Sequence, residues 1–453
     1  MITANEMATS LRPHLAQPPA VGPLRFRHAV VDSRKAGRGD LFVALPGEHA
    51  DGHDFVADAA RRGATGALVA RPVPVEVAQY VVRDPLAALQ ALAMDRRTAN
   101  PKLKVIGITG SVGKTTTKEI VASVLATKYP VLKNEGNLNS EIGLPLVLLE
   151  LTKRHRRAVL EMGMWAEGEM ALLCQIAKPD IGVVTMVGPV HMERLGSIEA
   201  IAQEKGVLRA SLPPDGVAVL NADDSRVAAM ADRTEANVIT YGLSPDADVR
   251  ADEIESHGLA GVSFTLVHAG AREHVYSHLP GRAMVHNALA AAAVGLVDGL
   301  TIADVAAALT AAPARVRFHS RRGPNGSLII DDAYNASPAS VLAALDLLGE
   351  MPGRKIAVLG DMRELGAAET QGHRDVGVRA AAIADTVITV GALGRIIADT
   401  AREAGHADVH ALEGKAEVAP FLRDRLREGD VVLLKASRAL AFETIVEELG
   451  EEE

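Results

Sequence analysis

A Gly-rich loop between a strand and a helix constrains this chain more than any other feature of its sequence. Residues 104–120 read KVIGITGSVGKTTTKEI, so an apolar run precedes the glycines and a helical pattern follows them. In such a loop, backbone N–H groups and a helix N-terminus face a bound phosphate, and a lysine adds a positive charge. The pattern predicts an α/β domain that binds ATP or GTP. It does not distinguish a kinase, an ATPase, a GTPase and a ligase.

The predicted phosphate-binding residues run from the end of the strand into the first turn of the helix. They are Thr109, Gly110, Ser111, Val112, Gly113, Lys114, Thr115 and Thr116. Lys114 is the expected catalytic cation, and the Thr115 hydroxyl can reach Mg²⁺. The string is not a strict G-x-x-x-x-G-K-T motif, because Ile108 stands where the first glycine belongs. A structural turn with a surface lysine is the alternative.

The length of the chain and the alternation of strand and helix patterns predict three α/β domains. At about 150 residues per domain, 453 residues suit three domains. We predict a small N-terminal α/β domain at 1–100, a central parallel-sheet domain with the phosphate loop at 101–313, and a C-terminal Rossmann-like domain at 314–453. In residues 249–279 strand-like runs with Gly turns interrupt the alternation of strands and helices in the central domain, and this pattern predicts an antiparallel appendage.

Composition and charge exclude several classes of function. Lys and Arg number 48 against 57 Asp and Glu, a formal charge of -9, so nucleic acid and acidic membranes are not expected partners. No run reaches the roughly 18 apolar residues that span a bilayer, and the N-terminus lacks the apolar region of a signal peptide. The single Cys174 indicates a reducing compartment. We expect a cytoplasmic monomer.

Two further side chains follow strands of the predicted central sheet. Glu161 ends the strand AVLEMG, and the strand IGVVT leads through MVGP to His191. Because the carboxyl ends of parallel strands share one edge of a sheet, both groups can meet the phosphate loop and hold Mg²⁺ there. Without the phosphate loop, a strand-end glutamate is more often a solvated carboxylate, and a lone histidine more often packs or forms a hydrogen bond.

Lys205 lies on the apolar face of a predicted helix that Ser197 caps. That face consists of Ile198, Ile201, Ala202, Leu208 and Arg209. At 100° per residue Lys205 is at its middle, whereas Gln203 and Glu204 are expected to point away. The lysine is either a snorkelling or ion-paired side chain, or a buried amine whose lowered pKa allows carbamylation into an anionic metal ligand. Helical geometry cannot choose between these two explanations.

Together these motifs resemble the Mur ligases, the family of peptidoglycan synthesis. The loop TGSVGKTTT, Glu161, the segment HMERLG and the EKG around Lys205 follow the central-domain pattern of that family. Four strings are similar to the branch that adds D-alanyl-D-alanine to UDP-N-acetylmuramoyl-tripeptide: DSRKAGRGDLFVALPGEHADGHDF, KNEGNLNSEIGLPL, DDAYNASP and GDMRELG. A DNPR-type motif, which marks the branch adding diaminopimelate, is absent. The resemblance covers about residues 30–445.

The resemblance implies an ATP-dependent ligase that forms an amide through an acyl phosphate. Its substrates would be UDP-N-acetylmuramoyl-tripeptide and D-alanyl-D-alanine, and its cofactors ATP and two Mg²⁺ ions. The third residue of the tripeptide, lysine or diaminopimelate, stays open. Another Mur branch, a folylpolyglutamate synthase and a non-catalytic nucleotide-gated binding protein are the alternatives.

The same resemblance implies roles for residues in the ATP and metal sites. Thr115 and Glu161 would hold one Mg²⁺, while His191 and carbamylated Lys205 would hold a second and act in catalysis. The implied nucleotide contacts are Asn287 to adenine, Arg315 to the phosphates, and Asp331 or Asp332 to the ribose. Without the resemblance, Asn287 and the two aspartates suit capping residues, and Arg315 suits a solvated side chain at a domain junction.

Substrate contacts are implied in all three domains. They are Ser33 and Arg34 for the uridine diphosphate, Asn137 and Asn139 for the muramoyl peptide, and Asn335, Lys435, Ser437 and Arg438 near the dipeptide. Two departures from the family pattern affect these sites. Ala283 stands where the family often has histidine, with His286 nearby instead, and Ala436 replaces a glycine between Lys435 and Ser437.

Overall fold

The computed structural model describes residues 1–16, 25–47, 49–312 and 319–450. Their strands form a two-stranded pair and three larger sheets, in chain order of four, nine and six strands. The predicted α/β class is therefore confirmed. The proposed boundary at 100/101 falls between a helix and a strand, the boundary at 313/314 lies outside the described residues, and both stay predictions.

The N-terminal sheet is parallel, in the strand order β3-β4-β5-β6, and a separate β1-β2 pair is antiparallel. Its elements are β1 (Ile2–Thr3), α1 (Ala4–Leu11), β2 (Arg25–Phe26), β3 (Ala29–Val30), β4 (Leu41–Val43), α2 (Val56–Arg61), β5 (Gly66–Val69), β6 (Ala78–Val81) and α3 (Pro85–Thr98). Helix α3 begins where the sequence directs it, because the Asp84 carboxylate accepts from the N–H of Leu86 at 2.8 Å and proline occupies the first turn.

The central sheet has the order β15-β14-β13-β12-β11-β10-β7-β9-β8. Its strands are β7 (Lys104–Thr109), β8 (Val131–Lys133), β9 (Arg157–Glu161), β10 (Ile181–Val184), β11 (Val217–Asn221), β12 (Asn237–Gly242), β13 (Val249–Ser256), β14 (Val262–His268) and β15 (Ala271–Ser277). The pairs from β8 to β13 are parallel, and β13, β14 and β15 pair antiparallel. The predicted antiparallel segment thus extends the main sheet.

Helices cover both faces of the central sheet and place two hydrophobic cores against it. They are α4 (Lys114–Ala126), α5 (Gly143–Leu149), α6 (Glu169–Ala177), α7 (Met192–Leu195), α8 (Ile198–Ala210), α9 (Ser225–Ala228), α10 (Met284–Val297) and α11 (Ile302–Ala311). The Ala-rich α10 is buried because small side chains let it approach α4: a Cβ on Gly295 would lie 3.0 Å from Val124. Among the described helices, none is long and apolar enough to cross a membrane.

The C-terminal sheet has the order β16-β17-β21-β18-β19-β20 and is parallel except for β16. Its elements are β16 (His319–Arg322), β17 (Leu328–Asp331), α12 (Pro338–Glu350), β18 (Lys355–Gly360), α13 (Glu369–Ile383), β19 (Thr386–Val390), α14 (Gly394–Glu403), β20 (Val409–Leu412), α15 (Val418–Arg423), β21 (Val431–Lys435) and α16 (Glu443–Leu449). DDAYNASP, GDMRELG and KASR follow β17, β18 and β21 at one edge.

Short 3-10 helices complete the described structure. They span Ser33–Lys35, Gly52–Phe55, Ala231–Arg233, Gly258–Ala260, Pro324–Gly326, Gly366–Ala368, Lys415–Glu417 and Arg438–Leu440.

Candidate active site

The phosphate loop joins β7 to α4 and requires glycine at two positions. Gly110 and Gly113 have φ angles of 150° and 88°. A Cβ on Gly110 would lie 1.8 Å from the Thr185 hydroxyl, and one on Gly113 would lie 2.7 Å from Oδ1 of Asn287. The Lys114 amine donates to the Gly110 carbonyl at 2.7 Å, so its side chain lies along the loop. This geometry places a cation and a helix N-terminus together, as an anion site needs.

The end of β10 supports the loop through two hydroxyl groups. Thr185 donates to the Val112 carbonyl at 2.6 Å. Ser111 donates to the Gly188 carbonyl at 2.9 Å and accepts from its N–H at 2.8 Å. Sequence reasoning missed Thr185. Its position at the end of the strand IGVVT, opposite a required glycine, is the signal that could have found it.

Glu161 links the phosphate loop to the segment KNEGNLN. The Thr115 hydroxyl donates to Oε2 of Glu161 at 2.8 Å, and the Asn139 amide donates to Oε1 at 2.7 Å. Asn134 exchanges bonds of 2.9 and 3.0 Å with the backbone of Glu161, which fixes the buried carboxylate in place. Asn134 was also missed, although it lies in a quoted motif. A carboxylate and a hydroxyl are hard oxygen donors of the kind that Mg²⁺ prefers, so these residues fit that ion.

The two asparagines predicted to bind the muramoyl peptide have different environments in the structure. Asn139 contacts Glu161, whereas Asn137 is exposed and its carbonyl accepts from the Asn139 N–H at 2.8 Å. Asn139 therefore positions a predicted metal ligand. Its contact with a substrate stays a prediction.

The predicted face of α8 is confirmed for Lys205, which is only 2% exposed. Burial lowers the pKa of Lys205 well below its usual range, and the positive charge of Lys114 acts in the same direction. Among the described residues, no hydrogen bond or ion pair to the Lys205 amine is found. Burial thus favours the neutral form of the amine, which is the form that can be carbamylated.

The expectation that Glu204 points away from the core was wrong. Glu204 is buried and its Oε1 accepts from the N–H of Met170 at 2.8 Å, while Gln203 is exposed as expected. The reason is that α8 packs against the sheet on one side and the start of α6 on another. Glu204 thereby satisfies one of the N–H groups that the first turn of α6 leaves unpaired.

His191 lies between the central and C-terminal domains. Its Nδ1 is 2.7 Å from Oε2 of Glu364, and the N–H of Met192 donates to the Glu364 carbonyl at 3.0 Å. Burial lowers the pKa of His191, the hydrogen bond to Glu364 opposes this effect, and Lys205 and Lys114 lower the pKa further whenever their amines are protonated. These effects on the imidazole indicate that His191, Lys205 and Lys114 are near one another, in one cluster beside the phosphate loop.

A metal ion bound at this cluster would need ligands from water or substrate as well as from the protein. In the described part of the chain, no three His, Cys, Asp or Glu side chains converge to cage a metal on their own. Mg²⁺ usually keeps waters and takes one or two protein ligands together with substrate phosphates. The pair of Thr115 with Glu161 and the pair of His191 with Lys205 suit such partial coordination.

Asn287 is placed against the phosphate loop, and its expected contact with adenine stays a prediction. It is buried near the start of α10, and its Oδ1 accepts from the Thr117 hydroxyl at 3.3 Å. The neighbouring His286 binds a carboxylate instead, with 2.8 Å between its Nε2 and Oδ2 of Asp223. Arg315 lies outside the described residues.

The C-terminal residues form a second cluster around a buried lysine. Lys435 pairs with Oδ2 of Asp332 at 2.6 Å and donates to the Asn335 carbonyl at 2.8 Å. The Asp331 carboxylate accepts from the Ala333 N–H at 3.1 Å, as a capping residue does. Lys435 therefore holds the DDAYNASP loop against the end of β21, which leaves Asp331 partly exposed.

The remaining predicted substrate residues are spread around these two clusters. Ser437 accepts from the Arg363 N–H at 2.8 Å, and Arg438 pairs with Glu443 at 2.8 Å. In the N-terminal domain Ser33 is buried, whereas the exposed Arg34 pairs with Asp32 at 2.9 Å. Within the described ranges, no hydrogen bond joins Ser33 or Arg34 to the phosphate loop.

Comparison with known proteins agrees with this arrangement. Three family models match in succession: Mur ligase family, catalytic domain, at 26–105; Mur ligase middle domain at 108–295; and Mur ligase, glutamate ligase domain, at 315–438. The UDP-N-acetylmuramoyl-tripeptide--D-alanyl-D-alanine ligase of Mycobacterium bovis is 38% identical, over 92% of this chain and 91% of that protein.

Solved structures extend the likeness to the whole fold. A crystal structure of MurF from Acinetobacter baumannii is 33% identical, covers 99% of this chain and 98% of its own, and has a TM-score of 0.88. The MurF ligase of Thermotoga maritima in complex with ADP is 31% identical, covers 93% of this chain and 96% of its own, and has a TM-score of 0.80. The predicted fold and enzyme class are confirmed, and the chain belongs to the Mur ligase family.

Proposed function

We propose that this chain joins D-alanyl-D-alanine to UDP-N-acetylmuramoyl-tripeptide in an ATP-dependent reaction. The observation that carries the chemistry is the meeting of the phosphate loop with Glu161 on one side and the cluster of Lys205 and His191 on the other. The choice of substrates is supported by the name of the Mycobacterium bovis relative, and the use of ATP by the ADP bound to the Thermotoga maritima neighbour.

The proposed reaction forms an amide in two steps. The terminal carboxylate of the tripeptide attacks the γ-phosphorus of ATP, which breaks the bond to ADP and leaves an acyl phosphate. The neutral amine of the dipeptide then attacks the activated carbonyl, and inorganic phosphate leaves as the amide forms. Lys114 and the N–H groups at the start of α4 stabilise the negative charge of the phosphoryl group during the first step.

Two metal sites complete the proposal. Mg²⁺, when bound, supplies positive charge to the transferring phosphoryl group. Thr115 and Glu161 would hold one ion, and His191 with carbamylated Lys205 a second. The carbamate forms when the neutral Lys205 amine adds to CO₂ and releases a proton, and the lowered pKa of the buried amine favours the neutral form.

The other site roles belong to the same proposal. Asn287, beside the loop, would contact the adenine, Asp331 on the C-terminal side would contact the ribose, and Arg315, which lies outside the described residues, would contact the phosphates. The uridine diphosphate would lie at Ser33 and Arg34, the muramoyl peptide at Asn137 and Asn139. The dipeptide would lie at the C-terminal edge, where the proposed residues are Asn335, Lys435, Ser437 and Arg438.

An assay of ADP release tests this function directly. Purified protein with ATP and Mg²⁺ should release ADP only when both UDP-N-acetylmuramoyl-tripeptide and D-alanyl-D-alanine are present, and running lysine and diaminopimelate tripeptides in parallel identifies the third residue. ADP release with a folate and glutamate would favour the folylpolyglutamate alternative. Nucleotide binding without turnover would favour a binding protein. Light scattering against the chain mass of 47.6 kDa tests the expected monomer.

A further inference from the structure

A contact between two domains fixes the orientation of His191. Its Nδ1 lies 2.7 Å from Oε2 of Glu364, which belongs to the segment GDMRELG after β18. A backbone bond of 3.0 Å from Met192 to the Glu364 carbonyl runs beside it. Gly366 packs closely against the same contact, since a Cβ at this position would lie only 3.3 Å from Met192. The imidazole is therefore held by the C-terminal domain although it belongs to the central one.

Both partners of this contact have unusual backbone conformations. His191 has a φ of 56° and Glu364 a φ of 65°, in the left-handed region that side chains with a Cβ avoid. Strain of this kind persists where the surrounding structure enforces it, and it concentrates at functional sites. Here the two strained residues bind each other, so the structure maintains a specific pairing of imidazole and carboxylate.

An aromatic ring also lies near the imidazole. The ring of Trp165 lies 6.1 Å from the ring of His191, and the guanidinium of Arg194 lies 4.8 Å above the same indole. Trp165 is 52% exposed, so it packs on the histidine without enclosing it. The ring is thus fixed in orientation but still reachable from solvent.

The carboxylate determines which ring nitrogen carries the proton. A carboxylate accepts hydrogen bonds, so Nδ1 is the donor and the lone pair of a neutral ring is on Nε2. Histidines that bind metals commonly donate their second ring nitrogen to a carboxylate in this way. We propose that Glu364 is a positioning residue that holds His191 in the Nδ1–H tautomer and thereby makes metal binding at His191 depend on docking of the C-terminal domain.

The inference rests on the proposed function, because it concerns the second metal site of that reaction. It goes beyond that function by assigning a role to Glu364, which contacts His191 and has no part in the site roles proposed above. A purely structural contact would hold the domains together without fixing the tautomer. The two readings therefore differ in what removal of the carboxylate does to the ring and to the metal.

Three variants separate these readings. Glu364→Gly removes the carboxylate and relieves the strained φ, so the protein should fold with an unchanged or higher melting temperature. Glu364→Gln keeps an oxygen that can accept from Nδ1–H, so it should preserve part of the effect. Glu193→Gln removes an exposed carboxylate from the same junction and serves as the matched control.

The first measurement is the tautomer of His191 in protein labelled with ¹⁵N-histidine. Long-range ¹H–¹⁵N spectra distinguish the two tautomers, and a His191→Gln variant assigns the signal among the 15 histidines. We expect the Nδ1–H form in the wild type and in Glu193→Gln, and a mixture of forms in Glu364→Gly. An Nε2–H signal in the wild type, or an unchanged signal in Glu364→Gly, would overturn the inference.

The second measurement is the affinity for Mn²⁺ in the presence of ADP, followed by electron paramagnetic resonance. Loss of a carboxylate behind a metal-binding histidine typically weakens binding by about 10- to 100-fold. We expect this loss of affinity for one Mn²⁺ in Glu364→Gly and a smaller loss in Glu364→Gln. Glu193→Gln should bind Mn²⁺ as tightly as the wild type. Unchanged Mn²⁺ affinity in Glu364→Gly refutes the inference even if the wild type turns over both substrates, whereas a wild type without turnover refutes the proposed function.

Discussion

Replacing Lys205 tests whether a buried lysine has been recruited as a metal ligand. Lys205→Met preserves the volume of the side chain and removes the amine, while Lys205→Ala removes every atom beyond Cβ. If the amine is carbamylated, both variants lack an anion at the second metal site and both should lose activity. Loss of one charge-stabilising group from a phosphoryl-transfer site typically costs about 10²-fold or more in turnover.

The two variants should differ in stability. The side chain is 2% exposed and packs on a face that includes Ile201 and Leu208, so Lys205→Ala leaves a cavity worth about 2–5 kcal/mol. Lys205→Met fills the same space and buries no unpaired amine, so its melting temperature should equal or exceed that of the wild type. Lys205→Met should therefore be inactive but stable. If the lysine were only structural, a stable Lys205→Met enzyme would also be active.

The pH dependence of stability follows from the same burial. Desolvation lowers the pKa of Lys205 in the folded state, so between that value and about 10.4 the unfolded chain carries a proton that the folded chain lacks. Unfolding then takes up a proton, and the stability of the wild type rises with pH. In buffers freed of CO₂, the stability advantage of Lys205→Met should shrink as the pH rises toward 10.

The assay compares ligase activity with and without acetate. Acetate can enter the cavity of Lys205→Ala and supply a carboxylate, so activity should return in part, whereas the filled site of Lys205→Met should not respond. Lys118→Met is the matched control, because Lys118 is equally buried but is bonded to Glu119 at 2.9 Å and to the Asn134 carbonyl at 2.6 Å. That variant should be destabilised and insensitive to acetate. A Lys205→Met enzyme with near-normal turnover would refute the carbamate.

Three further outcomes are expected. Lys114→Ala should abolish most ADP release that depends on the dipeptide while the melting temperature is retained, because the residue serves an anion site; near-normal turnover would contradict the phosphate-loop assignment. Small-angle scattering should show contraction when nucleotide and tripeptide saturate the protein, and an unchanged radius of gyration would count against domain closure. Burial raises the pKa of Cys174 to about 11, so at pH 8 only about one thiol in a thousand is ionised, and disulfide reagents should label it only after unfolding; rapid labelling of the native protein would show that the thiol is accessible.

Local patterns predicted the elements of this fold better than the contacts between them. The strand Lys104–Thr109 was predicted with its observed bounds, and the strands leading to Glu161 and Thr185 within two residues, because apolar runs between turn residues depend only on nearby sequence. The short strand β8 and the polar β12 were missed, since neither has a long apolar run. Their places in the sheet come from pairing with distant strands.

In the candidate site too, local features could be predicted from the sequence and contacts between distant residues could not. The phosphate loop is continuous in sequence and could be recognised from it, whereas the bond between His191 and Glu364 joins residues 173 positions apart. Nothing near either residue signals the other. Glu204 was misplaced for a related reason, because a helical wheel assumes one buried face and α8 is contacted on two sides. Sequence therefore identified the chemical groups, and tertiary packing determined which of them act on each other.

Comparison of the buried lysines indicates why Lys205 needs a functional explanation. In the described part of the chain, Lys118, Lys205 and Lys435 are the buried lysines. Lys118 and Lys435 each bind one carboxylate and one backbone carbonyl, which compensates for the water they lose on folding. Among the described residues, Lys205 makes no such hydrogen bond or ion pair, and the charge of Lys114 opposes its protonation, although the charge of Glu204 favours it. An amine in that position costs stability that leucine or methionine would not. The proposed carbamate would account for its presence, because addition of CO₂ to the neutral amine replaces the buried amine with an anion that can bind the second metal ion.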